Sequence, residues 1–229
     1  MEEEVLEEEA QVAAGKKTII FDLDGTLLDS IEDIAISMNK VLKELNLPIH
    51  KIEDYKYFVG SGVDVLVENA LKESSQDMKK EVSTRFKKEY DQKLHENTKP
   101  YEGIYELLDE LKKLDYNLAV LSNKPHDFTV QYVDYLFKDY GFKEVHGQKV
   151  EVPRKPDPIG AINIAKALNI PCEEIFFVGD TLVDMKTAKS AGMKAIGVLW
   201  GFRDEKELNE NGADFIVKHP LDILEIVKK

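Results

Sequence analysis

The sequence has a single cysteine, and no apolar run in it is long enough to cross a bilayer. Cys172 therefore has no partner for an internal disulfide, and we expect a cytoplasmic, reducing setting without a secretory signal or membrane segment. Basic residues are also in deficit, since 31 Lys and Arg stand against 44 Asp and Glu and give a formal net charge of -13. Nucleic acid and anionic membranes bind basic surfaces, so neither is expected as a partner.

Part of the acidity lies in an N-terminal extension. Residues 1–17 hold six glutamates and two lysines, so residues 18–229 carry -9 of the net charge of -13. Glutamate and alanine favour a helix, but the extension has few apolar positions with which to pack one. A frayed helix and a disordered tail are both open, and we predict no chemistry for this extension.

Short apolar runs alternate with helical patterns in the rest of the chain. The runs TIIFDLD, YNLAVLSNK, EIFFVGD, KAIGVLWG and ADFIV have the composition of strands that are buried on both faces. Lys124 and Pro125 are expected only to open the helix that follows the second run. Such alternation predicts an α/β fold with a mainly parallel sheet, whose functional residues lie at the carboxyl ends of the strands. In YEGIYELLDELKKL, the expected apolar face comprises Ile104, Leu107, Leu108, Leu111 and Leu114.

Residues 30–98 interrupt the alternation, because they show helical periodicity and no convincing strand. We therefore predict a helical cap domain over 30–98, inserted into a core domain of residues 18–29 and 99–229. Within the insertion, the stretch VGSGVD contains Gly60 and Gly62. These glycines either form a turn without a ligand, or turn backbone N–H groups at the start of a helix towards an anionic substrate group.

Polar side chains follow the predicted strands or lie in the loops beside them. Because the carboxyl ends of parallel strands meet at one edge of a sheet, we expect these side chains to lie close together. Two carboxylates from the third strand end, together with one from the first, offer the hard oxygen ligands that Mg²⁺ prefers. The side chains are Asp22, Asp24, Ser122, Asn123, Lys155, Asp180 and Asp184.

Four motifs, in the order DLDGTLLDS, LSN, Lys155 and GDTLVD, resemble those of the haloacid dehalogenase superfamily. The resemblance implies a Rossmann-like, three-layer core with a helical cap. It makes Asp22 the nucleophile that becomes an aspartyl phosphate, and Asp24 the general acid and then the general base. It also implies Mg²⁺ held by Asp22, the backbone carbonyl of Asp24, Asp180 and, directly or through water, Asp184. Asp184 alternatively holds Lys155 without touching the ion.

Charge neutralisation is the main requirement of such a reaction, because a carboxylate attacks a phosphate dianion slowly until cations and donors offset the charge. Lys155, the third catalytic residue, and the Ser122 hydroxyl are expected to supply part of it, with Asn123 as a further substrate contact. Gly25 permits a tight turn that aims backbone N–H groups at the phosphate. Thr26 either caps the following helix or touches the leaving group.

The second aspartate, Asp24, points to phosphate chemistry. An alcohol leaving group needs a proton from such an acid, whereas the halide released by a dehalogenase does not. The segments SIEDIAISMNKVLKELNLP, FVGSGVDVLV, PYEGIYELLDELK and VLWGFRDEKEL are similar to those of the phosphoglycolate phosphatase subgroup. The resemblance implies a magnesium-dependent phosphatase that acts on a small phosphorylated metabolite, such as 2-phosphoglycolate. A monomer and a homodimer are both open.

Three alternatives to this function remain. A β-phosphoglucomutase-like enzyme and a pyrophosphatase would use the same core. The mutases carry a polar, often histidine-bearing stretch after the first motif, which SIEDIAISMN lacks, and this favours a hydrolase. A non-catalytic binding protein would normally have lost Asp22, Asp24 or Lys155, and all three are present.

Overall fold

The structure, a computed structural model, describes residues 17–92 and 96–228. The acidic extension predicted at residues 1–17 lies outside these residues except for Lys17. The ammonium of Lys17 donates a hydrogen bond to the carbonyl oxygen of Val227 at 3.0 Å. Within the described ranges, no helix combines the length and the apolar character needed to span a membrane.

A six-stranded parallel sheet forms the centre of the fold. Its strands are β1 (Thr18–Phe21), β4 (Asn117–Pro125), β5 (Glu144–Gln148), β6 (Ile175–Gly179), β7 (Lys194–Val198) and β8 (Phe215–Val217). They lie in the order β5-β4-β1-β6-β7-β8, and each neighbouring pair is parallel. Because β1 lies between β4 and β6, the loops that follow these three strands meet at one edge of the sheet.

Helices cover both faces of this sheet. They are α1 (Ile31–Glu44), α2 (Ile52–Phe58), α3 (Val63–Leu71), α4 (Gln76–Gln92), α5 (Ile104–Lys113), α6 (His126–Leu136), α7 (Ile159–Ala167), α8 (Leu182–Ala191), α9 (Glu205–Glu210) and α10 (Ile223–Val227). Ile20 belongs to a buried cluster with side chains of α7, α8 and α9, whereas Ile19 and Phe21 belong to a second cluster with α5, α6 and α10. This alternation along β1 confirms the predicted three-layer α/β fold.

Helices α1 to α4 follow one another without an intervening strand over residues 31–92, here called the helical segment. No strand occurs in the described part of the insertion, residues 30–92 and 96–98. Two short strands, β2 (Leu28–Asp29) and β3 (Lys99–Pro100), pair in antiparallel fashion on either side of the segment. The division into a cap domain over 30–98 and a core domain of 18–29 and 99–229 stays a prediction.

Two features of the core differ from the predictions. Leu114 is 41% exposed, because α5 ends at Lys113, whereas the other four residues of the expected apolar face are buried. Strand β5 was not among the predicted strands. Its sequence, EVHGQ, is polar, and it lies at the edge of the sheet with most of its residues half-buried. An edge strand does not need the apolar composition that marks a central one.

Candidate active site

The loop after β1 places Asp22 and Asp24 at the edge of the sheet. The N–H of Asp22 still donates to the carbonyl oxygen of Val178 in β6 at 2.9 Å, so this residue starts from a fixed point on the sheet. The chain then turns tightly at Gly25, which has φ +85, a conformation that favours glycine. A Cβ added at Gly25 would lie 2.3 Å from Oδ2 of Asp180. Glycine therefore allows this loop to approach the carboxylate of Asp180.

Thr26 supports the site from beneath. Its buried hydroxyl donates a hydrogen bond to Oδ1 of Asp180 at 3.1 Å. The alternative in which Thr26 caps the following helix is wrong, because α1 begins at Ile31, further along the chain. The N–H of Gly25 is itself bonded within the loop. The contacts seen for Gly25 and Thr26 thus stabilise the loop and Asp180, and their roles in phosphate binding stay predictions.

Three buried carboxylates lie together, and Lys155 pairs with two of them. One carboxylate oxygen each of Asp22, Asp180 and Asp184 lies within 4.8 Å of the others. The Nζ atom of Lys155 lies 2.6 Å from Oδ1 of Asp184 and 2.9 Å from Oδ1 of Asp22. The loops after β1 and β6 thus bring together the residues that the sequence predicted for this edge.

The charges in this cluster do not balance. Burial, and then the carboxylate of Asp184, raise the pKa of Asp22 to about 7, although the Lys155 ammonium opposes the shift. Burial and the neighbouring carboxylates of Asp184 and Asp22 hold the pKa of Asp180 well above its ordinary value. Burial would lower the pKa of Lys155, but the two carboxylates outweigh it and raise that pKa. The cluster therefore has an excess of negative charge that a divalent cation would offset.

Asp184 owes its position to the start of α8. Its Oδ2 atom accepts hydrogen bonds from the hydroxyl of Thr181 at 2.8 Å and from the N–H of Thr181 at 3.1 Å, which caps the helix. Its Oδ1 atom accepts from Lys155. Of the alternatives for Asp184, the contact with Lys155 is the one present in the structure. Ligation of a metal by Asp184 stays a prediction.

The loop after β7 supports Asp180, a contact that the sequence patterns did not predict. The N–H of Phe202 donates to Oδ2 of Asp180 at 2.8 Å. This loop comes so close that a Cβ added at Gly201 would lie 2.3 Å from Cβ of Asp180. A glycine directly after an apolar strand is a signal of close backbone approach, and it could have indicated this contact.

Lys124 contacts Asp24 in the core of the site, so the expectation that it only opens a helix is wrong. Strand β4 extends through Lys124, which is 7% exposed. Its Nζ atom lies 3.0 Å from Oδ2 and 3.1 Å from Oδ1 of Asp24, and it donates to the hydroxyl of Tyr90 at 2.8 Å. The hydroxyl of Ser30 donates to Oδ1 of Asp24 at 2.6 Å. The signal that was missed is a cation directly after LSN at the end of a buried strand.

Asn123 joins three parts of the site. Its amide nitrogen donates to the carbonyl oxygen of Lys155 at 2.9 Å and to that of Gly60 at 3.0 Å, and its Oδ1 atom accepts from the N–H of Lys155 at 2.9 Å. Ser122 beside it is buried, and its Oγ atom accepts from the N–H of Lys124 at 3.2 Å. Gly62 lies directly before α3, as predicted for a helix start. Asn123 therefore fixes Lys155 and connects the sheet to the helical segment.

A cavity lies between the sheet edge and the helical segment. Its polar floor comprises Asp22, Asp24, Ser122, Asn123 and Lys124. Its roof is mostly apolar and comprises Ile34, Val59, Gly60, Gly62, Val63, Leu66, Phe86 and Tyr90. The predicted substrate residues Ser122, Asn123, Gly60 and Gly62 thus share one cavity with Asp22, and their contacts with a substrate stay predictions.

Known proteins with similar sequences share a hydrolase family. Residues 19–198 match the family described as haloacid dehalogenase-like hydrolase. The chain is 34% identical over 211 residues to the phosphoglycolate phosphatase of Aquifex aeolicus, covering 92% of this chain and 96% of that protein. It is 32% identical over 215 residues to the phosphoglycolate phosphatase of Pseudomonas savastanoi, covering 90% of this chain and 79% of that protein.

Solved structures resemble the fold over most of its length. The crystal structure of a predicted phosphoglycolate phosphatase from Haemophilus somnus has a TM-score of 0.86 and 31% identity, covering 92% of this chain and 97% of that one. The β-phosphoglucomutase from Clostridium difficile has a TM-score of 0.76 at 18% identity, which shows the shared fold alone. The family predicted from the four motifs is confirmed, and the chain belongs to the haloacid dehalogenase-like hydrolase family.

Proposed function

We propose that this protein is a magnesium-dependent phosphatase that hydrolyses a small phosphomonoester, such as 2-phosphoglycolate, through an aspartyl phosphate on Asp22. The observation that carries the proposal is the buried cluster in which Asp22 lies 2.9 Å from Lys155 and beside Asp180. Asp24 lines the same cavity as Asp22. The relatives named phosphoglycolate phosphatase support this class of substrate.

The buried cluster fits a divalent cation, because Lys155 pairs with only two of its three carboxylates and carboxylate oxygens are the ligands that Mg²⁺ prefers. Asp22, Asp180 and the backbone carbonyl of Asp24 would hold the ion, and Asp184 would act directly or through water. When bound, Mg²⁺ would offset negative charge on a phosphate group at this edge of the sheet.

The first half-reaction transfers the phosphoryl group to the protein. A carboxylate oxygen of Asp22 forms a bond to phosphorus while the bond from phosphorus to the alcohol oxygen breaks. Lys155 and the Ser122 hydroxyl would stabilise the charge on the phosphoryl oxygens. Asp24 gives its proton to the departing alcohol oxygen, so that a neutral alcohol leaves.

The second half-reaction returns Asp22 to its starting form. Asp24, now a carboxylate, takes a proton from a water molecule whose oxygen bonds to phosphorus. The bond between phosphorus and Asp22 breaks, and inorganic phosphate leaves. The apolar roof of the cavity would keep bulk water away from the site until the alcohol has gone.

The test of this mechanism is phosphate release from an aryl phosphate with Mg²⁺, with and without a chelator. Asp22→Asn should reduce the rate by at least about 10³-fold, because an amide is a far weaker nucleophile than a carboxylate. Asp134→Asn, an exposed position on α6, is the matched control and should leave the rate unchanged. Persistent turnover by Asp22→Asn would refute the role of Asp22 as nucleophile.

The substrate is tested with a panel of 2-phosphoglycolate, pyrophosphate, sugar phosphates and nucleotides. A preference for 2-phosphoglycolate in kcat/KM would support the narrow proposal. A preference for pyrophosphate or a hexose phosphate would retain the chemistry and replace the substrate. Turnover that needs a sugar bisphosphate would indicate a mutase, and a protein that binds Mg²⁺ but turns over no phosphate ester would indicate a binding protein.

A further inference from the structure

A buried series of hydrogen bonds runs from the floor of the cavity to the start of α1. Nζ of Lys124 lies 2.8 Å from the hydroxyl oxygen of Tyr90, which lies 3.1 Å from the hydroxyl oxygen of Tyr132. The Tyr132 hydroxyl reaches Oγ1 of Thr98 at 3.3 Å, and the Thr98 hydroxyl reaches Oδ2 of Asp33 at 2.6 Å. All five side chains are buried.

The two ends of this series of hydrogen bonds, Lys124 and Asp33, fix the direction of every hydrogen bond in it. An ammonium can only donate and an ionised carboxylate can only accept. Tyr90 therefore accepts from Lys124 and gives its own proton to Tyr132, which donates in turn to Thr98. Burial, and then the charge of Asp24, hold the pKa of Tyr90 well above its ordinary value, so its hydroxyl keeps that proton at neutral pH.

The far end of the series is equally well ordered. Asp33 accepts hydrogen bonds from the N–H groups of Asn97 and Thr98 and from both of their side chains. Although burial raises the pKa of Asp33, these donors outweigh it and hold that pKa below its ordinary value. Asp33 lies near the start of α1, whereas Asn97 and Thr98 directly precede β3. Asp33 thus joins the start of α1 to the residues that precede β3.

The near end of the series crosses from the helical segment to the sheet. Tyr90 lies on α4, two residues before the end of the helix, whereas Lys124 lies on β4 and Asp24 in the loop after β1. The Lys124 ammonium also lies 4.6 Å from the ring centroid of Tyr90. Tyr90 therefore supplies both the neutral acceptor and part of the apolar wall that confine this ammonium beside Asp24. A change in the position of α4 would remove both.

We propose that Tyr90 is a positioning residue that holds Lys124 against Asp24, so that the carboxyl group of Asp24 is oriented for its proton transfers only when the helical segment is seated on the sheet. The proposal rests on the proposed function, because it assigns Asp24 the transfer of a proton to the departing alcohol. Without the Tyr90 hydroxyl, the buried ammonium has one acceptor fewer, and its contact with Asp24 loses its fixed geometry. The rate should therefore fall for substrates whose leaving group needs a proton from Asp24.

The experiment compares Tyr90→Phe with Tyr55→Phe on two substrates. Tyr55 is the matched control, because it is also buried in the helical segment and donates its hydroxyl to Oδ1 of Asn39 at 2.7 Å. An alkyl phosphate needs a protonated leaving group, whereas p-nitrophenolate leaves without a proton. Tyr90→Phe should lower kcat for the alkyl phosphate about tenfold more than for p-nitrophenyl phosphate, with a small change in KM. Tyr55→Phe should leave the ratio unchanged.

Hydrogen exchange tests the same contact without turnover. Amide exchange over residues 22–30 should be faster in Tyr90→Phe than in the wild-type protein or in Tyr55→Phe. If Tyr90→Phe does not fold, Tyr132→Phe removes the acceptor of the Tyr90 hydroxyl and should change the substrate ratio in the same direction.

Four outcomes separate this proposal from the proposed function. Equal losses on both substrates, or unchanged exchange over residues 22–30, would overturn the role of Tyr90. Equal effects of Tyr55→Phe and Tyr90→Phe would overturn it as well. If the wild-type protein hydrolyses neither substrate, but exchange over residues 22–30 is faster in Tyr90→Phe, the proposed function would be overturned and the coupling of Tyr90 to the Asp24 loop supported.

Discussion

Replacing Lys155 with methionine should destabilise the protein strongly in the absence of metal. Its ammonium lies 2.6 Å from Asp184 and 2.9 Å from Asp22, and both contacts are buried. At an effective dielectric constant of about 20, each contact has a gross Coulomb energy of about 6 kcal/mol. Most of this is offset by the cost of burying the charges, and removing one partner of a buried pair leaves a net loss of about 3–5 kcal/mol.

Thermal unfolding, followed by circular dichroism in the presence of a chelator, measures this loss. For a chain of this size, about 3–5 kcal/mol corresponds to a fall in Tm of about 6–20 °C. The matched control is Lys189→Met, because Lys189 pairs with Asp214 at 2.7 Å but its side chain is 47% exposed. That exposed pair should contribute less than about 1 kcal/mol.

The same variant links stability to metal binding. In Lys155→Met, an added divalent cation should raise the Tm more than it does in the wild-type protein, because the cation replaces the positive charge that the substitution removed from the cluster. Equal Tm values for Lys155→Met and Lys189→Met in the presence of a chelator would refute this account of the cluster. So would a rise in Tm with Mg²⁺ that is the same in Lys155→Met and the wild-type protein.

Three further perturbations follow from contacts at the start of α1 and beneath the cluster. Asp33→Asn should lower the free energy of unfolding by about 2 kcal/mol at pH 7. Because the folded pKa of Asp33 is lowered, this difference should shrink as the pH falls below about 4 and through the folded pKa, which urea unfolding at several pH values would show. Gly25→Ala should reduce the rate of phosphate release and the affinity for Mg²⁺ more than tenfold, because the added Cβ would meet Asp180. A titration with Mg²⁺ that follows phosphate release would measure both effects. Gly192→Ala is its control, since the φ there is also positive but no described atom lies within 4 Å of the added Cβ; equal losses would contradict the explanation. Chelation should abolish phosphate release and lower the Tm, Mg²⁺ should restore both, and Asp180→Asn should not respond; full activity with a chelator would refute the metal requirement.

The features best predicted from the sequence are those in which a residue's environment depends on its neighbours along the chain. Central strands must be apolar on both faces, so β1 was recognisable from its run of Ile19, Ile20 and Phe21. The strand order was not needed to predict that Asp22 and Asp180 meet, because parallel strands bring their carboxyl ends to one edge. Motif and strand end together were therefore enough to predict the carboxylate cluster.

The contacts that the sequence did not predict join residues far apart along the chain. Lys124 has one partner in the loop after β1 and another on α4, and no local periodicity specifies either of them. The hydrogen bonds between Asp33 and the residues before β3 depend likewise on how the start of α1 meets those residues. Local patterns describe a residue's own element, whereas these partners depend on packing between elements.

The pairing of β2 with β3 limits how the helical segment can move. Leu28 lies opposite Pro100 and Asp29 opposite Lys99, so both connections to the segment run through one two-stranded ribbon. Two independent tethers would allow translation and twisting as well as rotation, whereas a paired ribbon bends most easily about a single axis. Any opening of the cavity would then be a swing about that axis. The residues of the helical segment would then return to the same places over the sheet edge.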